Sequence, residues 1–343
     1  RYGDKMSSAL DVTYKRPRKF AGSTSISLLG ASAHVEGASK TQRFSFLAGY
    51  RYKTTSYLLN TLETTGDYKP QFSDLQTLLT YQLSRKVEIS FLGNYNSNKY
   101  QFIPSTRDTE FGNKDLPLNL KVYYDGQELD QFDTYLGALS LNYRPQKGLS
   151  LKFTTSAFRT SEQETFDIQG QYLINELDNT IDSETYGDSI LNIGVGTLLT
   201  HARNYLDAIV ISAEHLGSYQ INNDHVQWGI SYKYHDFLDQ INEWEAVDST
   251  GYILPYEEEE LNLTKSKRSE NHIVYNQYSL FVQNTREING TGADMFITTG
   301  IRGTLWNFNR TIMISPRITL ATQPYWKRDM LFHFSGGYYY QPP

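Results

Sequence analysis

The amino-acid sequence predicts an all-β protein, an antiparallel up-and-down transmembrane β-barrel of which this chain supplies about thirteen strands. Three observations lead there. Apolar and polar residues alternate with period two through much of the chain, which gives each strand one apolar and one polar face. Short turns and long connections alternate along the sequence, with short exceptions on the long side after the first and eleventh strands, as they do where strands run up and down through a barrel wall. The apolar content is unusually aromatic, with 27 Tyr and 17 Phe in a chain that is only 39% hydrophobic. Tyrosine in that quantity suits the aromatic girdles of a membrane-spanning barrel.

The elements follow in order. Residues 6–15 alternate Leu10, Val12 and Tyr14 against Asp11 and Thr13, a first strand. Residues 24–35 read as a small-residue strand with Ile26 and Leu28 on one face, closed by Glu36-Gly37. Residues 43–52 place Phe44, Phe46, Ala48, Tyr50 and Tyr52 together. A connection over 53–72 contains Gly66 and Pro70; strands over 75–83 and 87–95 then flank a tight turn at Ser84-Arg85. From 96 to 131, Pro104, Gly112, Pro117 and Gly126 mark a long connection, with 118–124 alternating inside it. Residues 134–143 form the next strand, and a turn at 144–148 leads to another that starts at Leu149. An acidic connection spans 159–203, and a third long one spans 243–270. Residues 274–282, 295–305, 312–320 and 330–338 complete the set. Pro316 falls inside a strand pattern, where a bulge or a strand start is expected.

The hairpin over 204–237 carries the clearest pattern. Ile209, Ile211, Tyr219, Trp228, Ile230 and Tyr232 are read as lipid-facing, and Ser212, Glu214, Ser231 and Lys233 as lumen-facing. His215 interrupts the apolar face. A four-residue loop at 222–225 would set Tyr219 opposite Trp228 and His215 opposite Tyr232. Strands of about 13 residues reach roughly 43 Å, or about 30 Å at a ~45° tilt, the thickness of a bilayer core.

Composition excludes several function classes. With no cysteine there is neither a disulfide scaffold nor a thiolate metal site. The formal net charge is −6, and the only basic stretch is Lys265 to Arg268, so nucleic acid is not an expected partner. No apolar run is long enough for a transmembrane helix. No serine sits in a Gly-x-Ser-x-Gly elbow and no His-x-x-x-His pair occurs, so no enzyme is expected. The outer-membrane lipid and lipopolysaccharide are the expected surroundings.

Several stretches resemble the barrel domain of TonB-dependent outer-membrane receptors of the Bacteroidetes type. They are RYGDKMSSALDVTYKRP (1–17), YLLNTLETTGDYKPQFSDLQTLLTYQL (57–83), FIPSTRDTEFG (102–112), ETFDIQGQYLINELD (164–178), GVGTLLTHARNYL (194–206) and DMLFHFSGGYYYQPP (329–343). The resemblance implies a barrel of about 22 strands, of which this chain would be the first part. It implies a plug domain and a TonB-contacting segment before Arg1, and further strands after Pro343. It also implies import of a scarce ligand (glycan, peptide, siderophore or similar) and, in many relatives, a SusD-like surface lipoprotein as partner. The alternative is a non-transporting barrel subunit of a larger outer-membrane assembly.

Candidate ligand-binding residues are few. His201 and Arg203 close a long connection and are read either as ligand or plug contacts or as loop packing. Glu176 and Asp178, with Asp182, Glu184 and Asp188, offer hard oxygen ligands for calcium, without the spacing of an EF-hand. No other metal and no cofactor is expected. The acidic run 257–260 reads as a solvated loop face.

Overall fold

A single antiparallel sheet dominates the computed structural model, which describes residues 3, 10–59, 66–249 and 263–340. The strands are β1 (Ala21–Ser27), β2 (Gly30–Ala38), β3 (Phe44–Thr54), β4 (Gly66–Tyr68), β5 (Gln71–Gln82), β6 (Val87–Pro104), β7 (Arg107–Gly112) and β8 (Pro117–Tyr143). They continue as β9 (Leu149–Leu177), β10 (Ser189–Ile221), β11 (Asp224–Ser249), β12 (Leu263–Asn289), β13 (Ala293–Trp306), β14 (Thr311–Pro324) and β15 (Phe332–Gly337). One helical turn, α1 (Ser56–Leu59), follows β3. Thirteen strands pair in sequence order along one path; β4 and β7 lie off it, on β6 and β8. The fold is therefore an up-and-down barrel wall, and its turns segregate by length in the main, with two short exceptions on the long side. One rim carries 39–43, 83–86, 144–148, 222–223, 290–292 and 325–331; among the described residues the other carries the long 105–116 and 178–188 together with two short turns, 28–29 and 307–310.

The structure corrects several boundaries. Residues 10–18 form no strand, and 6–9 lie outside the described residues, as do the acidic run 257–260 and Pro342-Pro343. The segment instead lies on the polar face of the sheet. Tyr14 reaches Gln76 at 3.3 Å, Lys15 reaches Glu36 at 2.6 Å, and Arg16 reaches Glu88 at 2.6 Å. The single strand expected over 24–35 is two, because the chain reverses at Leu28-Leu29 and Gly30 takes a positive φ of 137°. Pro316 needs no bulge: β13 and β14 stay in register through Ile301↔Pro316. Its carbonyl accepts from the Tyr338 amide at 3.1 Å, on the side of β15 and just where that pairing begins, so the missing N–H falls at a ladder end.

The hairpin register also shifts. The loop is two residues, Asn222-Asn223, with Asn222 at φ 51°, a conformation Asn tolerates. Tyr219 therefore pairs with Val226, Gly217 with Trp228, His215 with Ile230 and Ala213 with Tyr232. The shift is two places, an even number, so every residue keeps its face. Gly217 is required here, because a Cβ would overlap the Trp228 indole.

The largest correction concerns length. The connections expected over 96–131, 159–203 and 243–270 are mostly strand. β8 to β12 contain 27, 29, 33, 26 and 27 residues. At ~3.3 Å per residue the 33 residues of β10 run roughly 110 Å, or about 80 Å at a ~45° tilt, far beyond a bilayer core of ~30 Å.

No large side chain among the described residues is fully buried, and the sheet encloses no conventional core. Its large apolar residues face outward instead. Tyr135, Leu139, Leu141, Phe153, Ile211, Ile230, Tyr232, Tyr278 and Leu280 are all exposed on one face. The opposite face is a ladder of small polar contacts: Ser140 to Thr154 at 3.0 Å, Ser156 to Ser212 at 2.6 Å, Ser279 to Thr304 at 3.2 Å and Gln283 to Gln227 at 2.7 Å. Cross-strand hydroxyl pairs of this kind hold an antiparallel sheet without apolar packing.

Candidate functional site

Each long strand divides into two segments. Near the short-turn rim the outward residues of β9 are Leu149, Leu151, Phe153, Thr155 and Ala157; beyond them come Arg159, Ser161, Gln163, Thr165, Asp167 and Gln169. On β8 the same face runs from Tyr143 through Leu141, Leu139 and Tyr135 to Asp133 and Gln131. On β11 it runs from Val226, Trp228, Ile230, Tyr232 and Tyr234 to Asp236. The boundary carries an ion pair, Arg159 to Asp207 at 2.5 Å. It also carries hydroxyl anchors, Tyr234 donating to Asp236 at 3.0 Å and Tyr95 to Asp133 at 3.5 Å. An apolar band of about ten residues per strand projects to roughly 25 Å at a ~45° tilt, the height of a lipid-facing band.

Beyond the boundary the inner face of β8 and β9 becomes apolar. Leu118, Leu120, Val122 and Tyr124 share it with Phe166, Ile168, Tyr172 and Ile174. A cavity of about 450 Å³ lies here, lined by Glu128, Phe166, Ile168, Thr200, His201, Glu243, Trp244, Glu245 and residues 265–267. The chain approaches closely at Gly126, whose φ is 101° and whose Cβ would overlap the Asp167 carbonyl. Beside the cavity, carboxylate oxygens of Glu128, Asp130 and Glu164 all lie within 4.8 Å of one another. Burial pushes the Glu128 and Asp130 carboxyls above the usual range, and repulsion within the trio adds to it. One Asp130 oxygen is buried with no hydrogen-bond partner. On the same inner face Asn204 bridges two carboxylates, donating to Glu164 at 3.1 Å and to Glu243 at 2.7 Å.

The residues singled out from sequence sit apart from one another. His201 and Arg203 are in the middle of β10, not at the end of a loop. Both bind Asp167 on β9: His201 Nδ1 lies 2.6 Å from one carboxylate oxygen, and the Arg203 guanidinium contacts the other. His201 also stacks on Trp244, with ring centres 4.8 Å apart. Burial would raise the Asp167 carboxyl, but the bonds from Arg203 and His201 outweigh it and hold the group below its ordinary value. The trio is a cross-strand clasp on the outer face.

Glu176 lies near the end of β9, and Asp178 opens the loop 178–188. Asp178 accepts from the Thr180 amide at 2.9 Å and the Thr185 hydroxyl at 2.7 Å. Its amide donates to the Asp188 carbonyl at 2.8 Å. Hydroxyl and amide donors from Ser183, Thr180 and Thr185 hold its carboxyl far below the carboxylate range. Asp178 thus latches its own loop, while Asp182, Glu184 and Asp188 point to solvent. Among the described residues the acidic group that converges is Glu128, Asp130 and Glu164 instead. Its signal was present in the sequence as Glu128-x-Asp130 and Glu162-x-Glu164, acids at period two. It went unread because these residues were placed in connections rather than in strands.

No family model matches this sequence, and no curated protein matches it. Two solved structures are similar in shape alone. The translocator domain of the autotransporter NalP from Neisseria meningitidis has a TM-score of 0.33 at 9% identity, over 86% of this chain and 81% of that one. The ferric yersiniabactin uptake receptor FyuA from Yersinia pestis has a TM-score of 0.28 at 8% identity, over 95% of this chain and 62% of that one.

Proposed function

We propose that this chain is the wall of an outer-membrane receptor barrel of the TonB-dependent type, which imports a scarce ligand into the periplasm. One observation carries the membrane reading. The outward face is apolar for about ten residues on the long strands β8, β9 and β11 and turns polar beyond Arg159 and Asp207. A soluble sheet buries its apolar face; this one exposes it over one band and then reverses. No helix among the described residues is long and apolar enough to cross a membrane, so strands would carry the crossing. The short-turn rim then faces the periplasm, and the long strands rise above the outer surface. The resemblance of six sequence stretches supports the receptor assignment, with TonB acting through a plug and a SusD-like lipoprotein meeting the long-loop rim.

Deletion of the full gene tests the import reading. Loss of growth or uptake on one class of nutrient, with the same loss when TonB is removed, is the expected result. Uptake that persists without TonB would overturn import and leave the barrel as a structural subunit. A full natural chain that stays monodisperse in buffer without detergent would overturn the membrane reading itself.

A further inference from the structure

We infer that the inner-face cavity beside β9 is a subsite for an organic cation on an apolar stem, an ammonium or guanidinium group carried by a short hydrocarbon chain. The inference rests on the reading that this end of the barrel opens to water outside the bilayer. Two features of the cavity carry it.

The first is the lining. Phe166 and Ile168 give it an apolar wall, which a fully hydrated inorganic ion would not use. The second is the charge balance. Lys265 lies 2.9 Å from Glu245, and Lys267 lies 4.0 Å from Glu243, so both lysines of the lining are matched. Among the described residues Glu128 has no ion-pair partner, and neither do Asp130 and Glu164, whose carboxylate oxygens lie within 4.8 Å of its own. The half-buried wall therefore carries an uncompensated negative charge next to an apolar surface. An anion would be repelled. A neutral ligand would leave the carboxylates unmatched. A cation with an apolar stem satisfies both parts, its head on Glu128 and its stem on Phe166 and Ile168.

The test uses the full natural chain in detergent, with hexylammonium and hexylguanidinium as probes and hexan-1-ol, hexanoate and calcium as comparisons. Titration calorimetry reads the binding. We expect hexylammonium to bind at least tenfold more tightly than hexan-1-ol or hexanoate. Glu128→Gln should remove that preference, and Phe166→Ser should weaken binding severalfold. Lys267→Gln should tighten it, a change of opposite sign that a misfolded variant could not mimic. Equal binding of hexylammonium and hexan-1-ol would overturn the inference. So would calcium binding that displaces the probe and is unaffected by Phe166→Ser, which would make the trio an inorganic ion site. Binding is read without transport, so its failure leaves the import reading standing. Uptake that persists without TonB, with binding intact, would strike import alone.

Discussion

Replacing Ile230 with lysine tests the membrane reading at its centre. Ile230 is 63% exposed, on the outward face between His215 of β10 and Leu280 of β12. It lies four residues from Val226 at the short-turn end of the band and six from Asp236 at the other. At ~3.3 Å per residue and ~45° of tilt, those steps are about 9 and 14 Å, close to the midplane of a ~25 Å band. Lysine at that depth costs about 2–4 kcal/mol in a lipid-embedded barrel. If the same face met water, a surface substitution would change stability by about 0.5 kcal/mol or less. Leu238→Lys is the internal control, because Leu238 lies beyond Asp236 and pairs with Asp207 and His272. Its cost should fall to about 0–1 kcal/mol. The assay is urea unfolding of the full natural chain folded into phosphatidylcholine vesicles, followed by tryptophan fluorescence. Equal costs at the two positions, within about 0.5 kcal/mol, would refute the assignment of the band.

Three further outcomes follow from the same structure. Gly217→Val should destabilise the hairpin by about 1–3 kcal/mol and change the Trp228 emission, since the new side chain needs the space the indole fills. Asp167→Asn should alter acid stability. The folded carboxyl is held below its unfolded value, so its contribution is present above about pH 4 and lost as pH falls through the folded value. The variant should therefore lose about 0.5–1 kcal/mol at neutral pH and show a flatter profile in acid, a modest figure because the pair is exposed. Asp130→Asn should act in the opposite sense. A carboxyl raised on folding loses stability as pH rises from its unfolded value through its folded one, so removing the charge should raise the midpoint of thermal unfolding at pH 7 and make no difference below about pH 4. A gain that persists in acid would point to packing instead.

The antiparallel class and the alternation of turns were legible because period two and loop length are local properties. The faces of the hairpin were legible for the same reason: Ile211 and Ser212 differ by one position, and parity survives a register shift of two. Strand length was hidden. Gly126 carries a loop signal, yet it sits inside β8 where two backbones approach. Beyond Arg159 the outward residues turn polar, so the contrast that marks a lipid-crossing strand disappears, although β9 continues. The carboxylate trio was hidden by the same error, because Glu128 and Glu164 are 36 residues apart and meet only when both strands are extended. His201 and Arg203 stand out in the sequence as the end of a long connection, whereas Asp167, which engages both, lies 34 residues from His201 and meets it only once β9 and β10 are paired.

Pairing along the main path keeps the order of the chain, with only the short β4 and β7 stepping out of it. Such a wall has few distant encounters to search for during assembly, because each strand can zip onto its predecessor from the turn that joins them. The β10–β11 hairpin is the strongest case, with twenty-four pairs propagating from Asn222-Asn223. The two margins, β1 and β15, are each paired on one side only among the described residues. Kinetically, the wall is a sequence of cheap local closures, each begun at a turn, and its two unpaired edges are the places where any further strand must add.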